Sequence, residues 1–120
     1  NVKFSLNNFA ETLSNCDIAL YPVKYVDERA KGAMAMKCLE YSAVGLPIVA
    51  TDVALSPYFK KNQDILIASN EKEWVEHLKN LISKEELRRS IGNNIYNKFM
   101  TYHTVEKSYS DLKQILINLN

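Results

Sequence analysis

Two short apolar runs, separated by a segment of helix length, constrain this chain more than anything else in it. Residues 17–21 read Asp-Ile-Ala-Leu-Tyr and stop at Pro22, and residues 46–50 read Leu-Pro-Ile-Val-Ala. Runs apolar at successive positions, with no polar alternate, suit strands covered on both faces, the situation of a parallel sheet. Between them the pattern predicts a helix from about Ala33 to Val44, stopped by Gly45. Parallel neighbours require a crossover of this kind, so strand, helix and strand read as one βαβ unit. Pro47 falls near the start of its strand, where a missing N–H is tolerated. The fold class expected is α/β in three layers, with a short parallel sheet.

The rest of the chain extends this plan. Val2–Phe4 reads as a short strand, and Asn7 or Asn8 as the cap of a helix carrying Phe9, Leu13 and Cys16 on one face. After a loop over residues 53–64 that contains Pro57, Ile65–Ala68 forms a third apolar run. From there the chain reads as helical to its end. Asn70 with Glu73, and Ser83 with Glu86, have the spacing of capping boxes, and Thr104 is placed to cap a last helix. The stripes that follow these caps are expected to pack into the core. They are Trp74, Val75, Leu78, Leu81 and Ile82; then Leu87, Ile91 and Ile95; then Val105, Tyr109, Leu112, Leu116 and Leu119.

Composition narrows the function. Of 120 residues, 47% are hydrophobic and 24% charged, which sets disorder aside. The net charge of +1 is spread evenly, with seven basic and six acidic side chains over 1–62 and eight of each over 63–120. Nucleic-acid backbones and anionic surfaces, which need a basic excess, are therefore not expected partners. Cys16 and Cys38 are too few for a disulfide framework or a metal cluster, and read as reduced core cysteines of a cytoplasmic protein. No run approaches the ~18 apolar residues of a membrane span. The chain opens on Asn1 rather than Met, which reads as a piece of something longer.

In an open parallel sheet, ligands bind beyond the carboxyl ends of the strands. Two loops leave those ends here, residues 22–32 and 51–64. The first carries Lys24, Arg29 and Lys31 and leads through Gly32 and Ala33 into the helix. A helix N-terminus with small residues offers free N–H groups and a positive dipole end to a phosphate. Within the helix and the strand after it, Lys37 and Glu40 are the only charges from 33 to 50. Three residues apart, they share a face: either a surface ion pair, or a carboxylate for neighbouring hydroxyls beside an ammonium for phosphate.

The block from Lys37 to Asp52, Lys-Cys-Leu-Glu-Tyr-Ser-Ala-Val-Gly-Leu-Pro-Ile-Val-Ala-Thr-Asp, resembles the nucleotide-sugar-binding motif of retaining glycosyltransferases of the GT-B fold, group 1 family. The strand at 17–22 and the stretch from Glu73-Trp74 onward resemble its flanks. The resemblance implies a Rossmann-like donor domain with a helical C-terminus, covering this chain only in part. The acceptor domain and the start of the donor domain would then lie elsewhere in a longer chain. It also implies transfer of a sugar from a nucleotide diphosphate donor, UDP favoured, to an acceptor hydroxyl with retention, in polysaccharide biosynthesis. No metal or separate cofactor is implied. Peripheral membrane contact of the full enzyme is compatible with it.

The resemblance also gives roles to single positions. Glu40 takes the ribose hydroxyls, and Gly32 and Ala33 the diphosphate through their backbone N–H groups. Lys37 takes phosphate or orients Glu40, and Lys31 and Thr51 border the same site. Gly32 stands where most members carry an earlier glutamate against the donor sugar, and no catalytic residue is assigned.

Two other readings compete. A receiver-type signalling domain needs an acidic pair after its first strand and an Asp at a strand end, where this chain has Ser5-Leu-Asn-Asn8 and Tyr21-Pro22. A non-catalytic nucleotide-binding or interaction module on the same fold is the second. His77, His103 and Ser42 suggest no hydrolase; both histidines read as surface residues.

Overall fold

The computed structural model describes residues 8–23, 35–53 and 55–119. Its elements are α1 (Phe9–Ser14), β1 (Ala19–Tyr21), α2 (Met36–Ala43), β2 (Ile48–Ala50), β3 (Leu66–Ile67), α3 (Glu71–Ser83), α4 (Glu85–Tyr102) and α5 (Val105–Asn118). The strand expected over Val2–Phe4 and the Asn7 cap lie outside the described residues. Asn8 occupies the N-cap position of α1.

The three strands form a parallel sheet in the order β1-β2-β3. Ala19 pairs with Ile48 and Tyr21 with Ala50, while Val49 pairs with Leu66 and Ala50 with Ile67. β2 is central, and all three of its residues are buried. Successive strand side chains point to opposite faces, and this alternation sorts the core. Ile48 and Ala50 join Ala35, Cys38, Phe59 and Ile95 on one face. Val49 joins Leu66, Leu81 and Ile91 on the other. Thus α2 covers one face and α3 the other, while α4 sends Ile95 to the first cluster and Ile91 to the second. This is the expected three-layer α/β arrangement with a helical C-terminus. β1 departs from expectation in one respect: as an edge strand it leaves Leu20 44% exposed.

α2 ends as its sequence requires. Gly45 has φ +71°, a left-handed conformation that L side chains rarely adopt. α4 crosses directly over this turn at Gly92, where an added Cβ would lie 2.3 Å from the Gly45 carbonyl oxygen.

The caps divide. The Asn70 side chain accepts from the Glu73 N–H at 3.0 Å, and the Glu73 carboxylate reaches back to the Ser69 N–H at 2.7 Å. Thr104 accepts from the Lys107 N–H at 3.2 Å. Ser83 is no cap. It is the last residue of α3, and its hydroxyl donates to the Lys79 carbonyl at 2.7 Å. Lys84 separates the helices without a side-chain cap. The Arg88 guanidinium instead satisfies the end of α3, donating to the Leu81 and Ile82 carbonyls at 2.6 and 3.1 Å.

Three further expectations fail. In the α3 stripe, Trp74, Leu78 and Leu81 join the core, but Val75 and Ile82 are 43% and 69% exposed, because at about 100° per residue they sit on the flank of that stripe. Cys38 is buried as a core cysteine, but Cys16 is exposed, just past the short α1 where little packs over it. The α5 stripe is not core: Val105, Tyr109, Leu112, Leu116 and Leu119 are all exposed, because among the described residues nothing covers that face of α5.

Candidate functional site

The carboxyl ends of β1 and β2 are joined by one residue. The Thr51 N–H donates to the Tyr21 carbonyl at 3.0 Å, and the Thr51 hydroxyl accepts from the Val23 N–H at 3.1 Å. Thr51 is half-buried there, so one residue closes the ladder and fixes the first step of the loop leaving β1. On the far side the Ala68 N–H donates to the Ala50 carbonyl at 3.0 Å, ordering the exit of β3. All three strands therefore end at one rim, the place where parallel sheets bind ligands.

α2 begins at Met36 rather than near Ala33, since Ala35 before it has a non-helical ψ of 82°. Lys31, Gly32 and Ala33, assigned to the diphosphate from sequence, lie outside the described residues, as do Lys24, Asp27, Glu28 and Arg29. In a βαβ unit the crossover helix runs back against the strands, so its first turn stands at the rim. Cys38 and Ser42 anchor α2 inward. Met36, Lys37 and Glu40 are exposed on its outer side. Lys37 and Glu40 share that face as their spacing predicts, and among the described residues they form no ion pair with each other or with another group. The simple surface pair, worth only about 0.2–0.5 kcal/mol, is thus not formed.

Burial tunes the inner side of α2 the other way. Desolvation pushes the Cys38 thiol up to about 12, so it stays protonated and unreactive. Burial above all raises the Tyr41 pKa, with smaller contributions from neighbouring groups that include Cys38 and Glu40. Ser42 donates to the Leu39 carbonyl at 2.8 Å, leaving no hydroxyl for chemistry.

The loop after β2 is held at two points that sequence reasoning missed. Lys61 binds Asp52 at 2.6 Å across the loop, with both side chains about half exposed. Ser56, only 4% exposed, shares a 2.7 Å hydrogen bond with His103 at the end of α4. Tyr58 stacks on Tyr102 with ring centroids 4.1 Å apart, and Phe59 and Phe99 close around the imidazole. His103 is therefore a half-buried latch rather than a surface residue, and desolvation lowers its pKa. His77 is likewise engaged, its Nε2 lying 2.9 Å from the Ile67 carbonyl oxygen. Ser56 lies 47 residues from His103 and Ile67 lies ten from His77, and no local pattern announces either contact.

Among the described residues, no group of three or more His, Cys, Asp or Glu side chains could hold a metal ion. No helix is long and apolar enough to cross a membrane.

The family model described as glycosyl transferase-like matches residues 3–114. Comparison with curated proteins and with solved structures finds no match. The family match takes in the sheet, the rim, α2 and nearly all of the helical tail, and on that extent the chain belongs to the glycosyl transferase-like family.

Proposed function

We propose that the chain is the donor-binding part of a retaining glycosyltransferase of the GT-B type, working in the cytoplasm, and that its rim takes a nucleotide diphosphate-sugar. Glu40 holds the two ribose hydroxyls, since a carboxylate accepts two hydrogen bonds from a vicinal diol. Lys37, one turn nearer the rim, meets phosphate charge. The segment with Lys31, Gly32 and Ala33 supplies backbone N–H groups to the diphosphate, and Thr51 borders the sugar side. An acceptor domain elsewhere in a longer chain completes the enzyme, so the chain alone binds the nucleotide and does not turn over. UDP is the favoured donor nucleotide.

The observation that carries this reading is the pair Lys37 and Glu40. They are exposed side by side, without an ion pair among the described residues, on a helix whose other face is buried at the rim of a parallel sheet.

The test is an NMR titration of the chain with UDP, GDP and ADP, repeated on Glu40→Ala. Amide shifts are expected over residues 32–40 and 51–55, and Glu40→Ala is expected to lose ~1–3 kcal/mol of binding, the range of a hydrogen bond to a charged group. Shifts elsewhere, or a mutant that binds as the native chain does, would remove Glu40 from the site. Sugar transfer by the chain alone would overturn the need for a second domain.

A further inference from the structure

Of the three C-terminal helices, α5 alone buries no residue. Its 14 residues are close to the length, ~12–15, below which an isolated helix is marginal in water. A helix of this kind is held by whatever covers its apolar face. That face has a specific spacing. Five of the seven exposed large apolar residues here, Val105, Tyr109, Leu112, Leu116 and Leu119, follow one another at intervals of four, three, four and three with exposures from 53% to 81%, and Ile115 and Ile117 are exposed beside them. A strict alternation of four and three is the seam along which one helix packs knobs-into-holes on another.

The charges beside the seam choose the partner. Lys107 is engaged by Asp111, and Gln114 donates to Asn118 at 3.1 Å, all on the side away from the seam. Glu106 and Lys113, which flank the seam, take part in no ion pair among the described residues. We infer that α5 pairs antiparallel with α5 of a second copy of this chain. Tyr109 then lies against Leu112 of the second copy, and Val105 against its Leu116.

In that register Glu106 of each copy faces Lys113 of the other, so the two-fold axis makes the complementary pair twice. Sliding the helices by one heptad would bring Lys113 against Lys113. Parallel pairing would set Lys113 against Ser108 and give Glu106 no opposite charge. The antiparallel register with Tyr109 against Leu112 is the one of the three that matches the charges, and it pairs Val105, Tyr109, Leu112 and Leu116 of the seam. The inference concerns the helical tail alone and stands or falls apart from the nucleotide site.

Sedimentation equilibrium of the chain, from low to high micromolar concentration, tests it. The native chain is expected to show a monomer–dimer equilibrium. Leu112→Glu is expected to leave a monomer, with the near-UV signal of Trp74 in α3 unchanged as proof that the body is folded. Lys113→Glu is expected to weaken association about tenfold by turning two attractions into two repulsions, and Glu106→Lys added to it should restore the dimer. A native chain that is monomeric throughout would overturn the inference. So would a monomer captured by phosphatidylglycerol vesicles, a dimer indifferent to Leu112→Glu, or a double exchange that fails to restore pairing.

Discussion

Gly92 of α4 lies against the backbone of Gly45, so close that a Cβ would stand 2.3 Å from the Gly45 carbonyl oxygen. The two glycines serve one contact for different reasons. Gly45 needs its left-handed φ of +71°, and a Cβ there would have room at 3.7 Å. Gly92 has an ordinary helical backbone and needs the space.

Substitution should separate the two causes. Gly92→Ala adds helix propensity worth ~1 kcal/mol but forces α4 off α2, and is expected to destabilise by about 1–3 kcal/mol net, the range of an overpacked core. Gly45→Asn, which tolerates the left-handed region, is expected to cost less than Gly45→Ala. Urea midpoints of the three variants, at unchanged slope, would check the order.

The caps give a paired measurement. Asn70→Ala removes an observed capping bond and is expected to lose ~1 kcal/mol. Ser83→Ala removes only a hydroxyl bonded back to the helix carbonyl four residues earlier, and is expected to change stability little or to raise it slightly. Equal losses from the two changes would mean that Ser83 caps α4 after all.

The latch at His103 makes stability depend on pH. Burial lowers its pKa in the folded chain, so folding favours the neutral ring. The stabilisation is complete above the unfolded value near 6.5 and is lost as pH falls through the depressed folded value. The melting temperature is therefore expected to drop between neutral and mildly acid pH, and His103→Gln is expected to flatten that part of the profile. A profile unchanged by His103→Gln would place the transition on another group.

The two thiols should differ in reactivity. Cys16 is exposed and Cys38 is 1% exposed with a pKa pushed up to about 12. At mildly alkaline pH a thiol reagent is expected to titrate one cysteine rapidly in the native chain and the second only after denaturation, with peptide mapping placing the first at Cys16.

The sheet was legible because burial on both faces leaves a mark at every position: Ile48, Val49 and Ala50 are apolar without alternation and all three are buried. Asn70 and Thr104 were legible because a cap needs only local partners. Ser83 misled because the same Ser-x-x-Glu spacing arises when a helix simply continues to its last residue. Gly92 carried no signal, since a glycine within a helix does not say which backbone it must admit. His103 was misplaced because its partner Ser56 is 47 residues away. The shared face of Lys37 and Glu40 followed from helical spacing alone. The stripe on α5 was visible as a stripe, but periodicity says that a face needs covering and not whether the cover comes from the same fold.

Thr51 binds both the last carbonyl of β1 and the amide of Val23, so the mouths of the first two strands are stitched by a single residue. The stitch has a mechanical result. A load applied at Val23 passes straight into the backbone of β2, the most deeply buried strand, without needing the helix between them. The outer edge of the sheet thereby borrows the stiffness of its centre, and the rim behaves as one rigid lip rather than as two loop ends that drift apart.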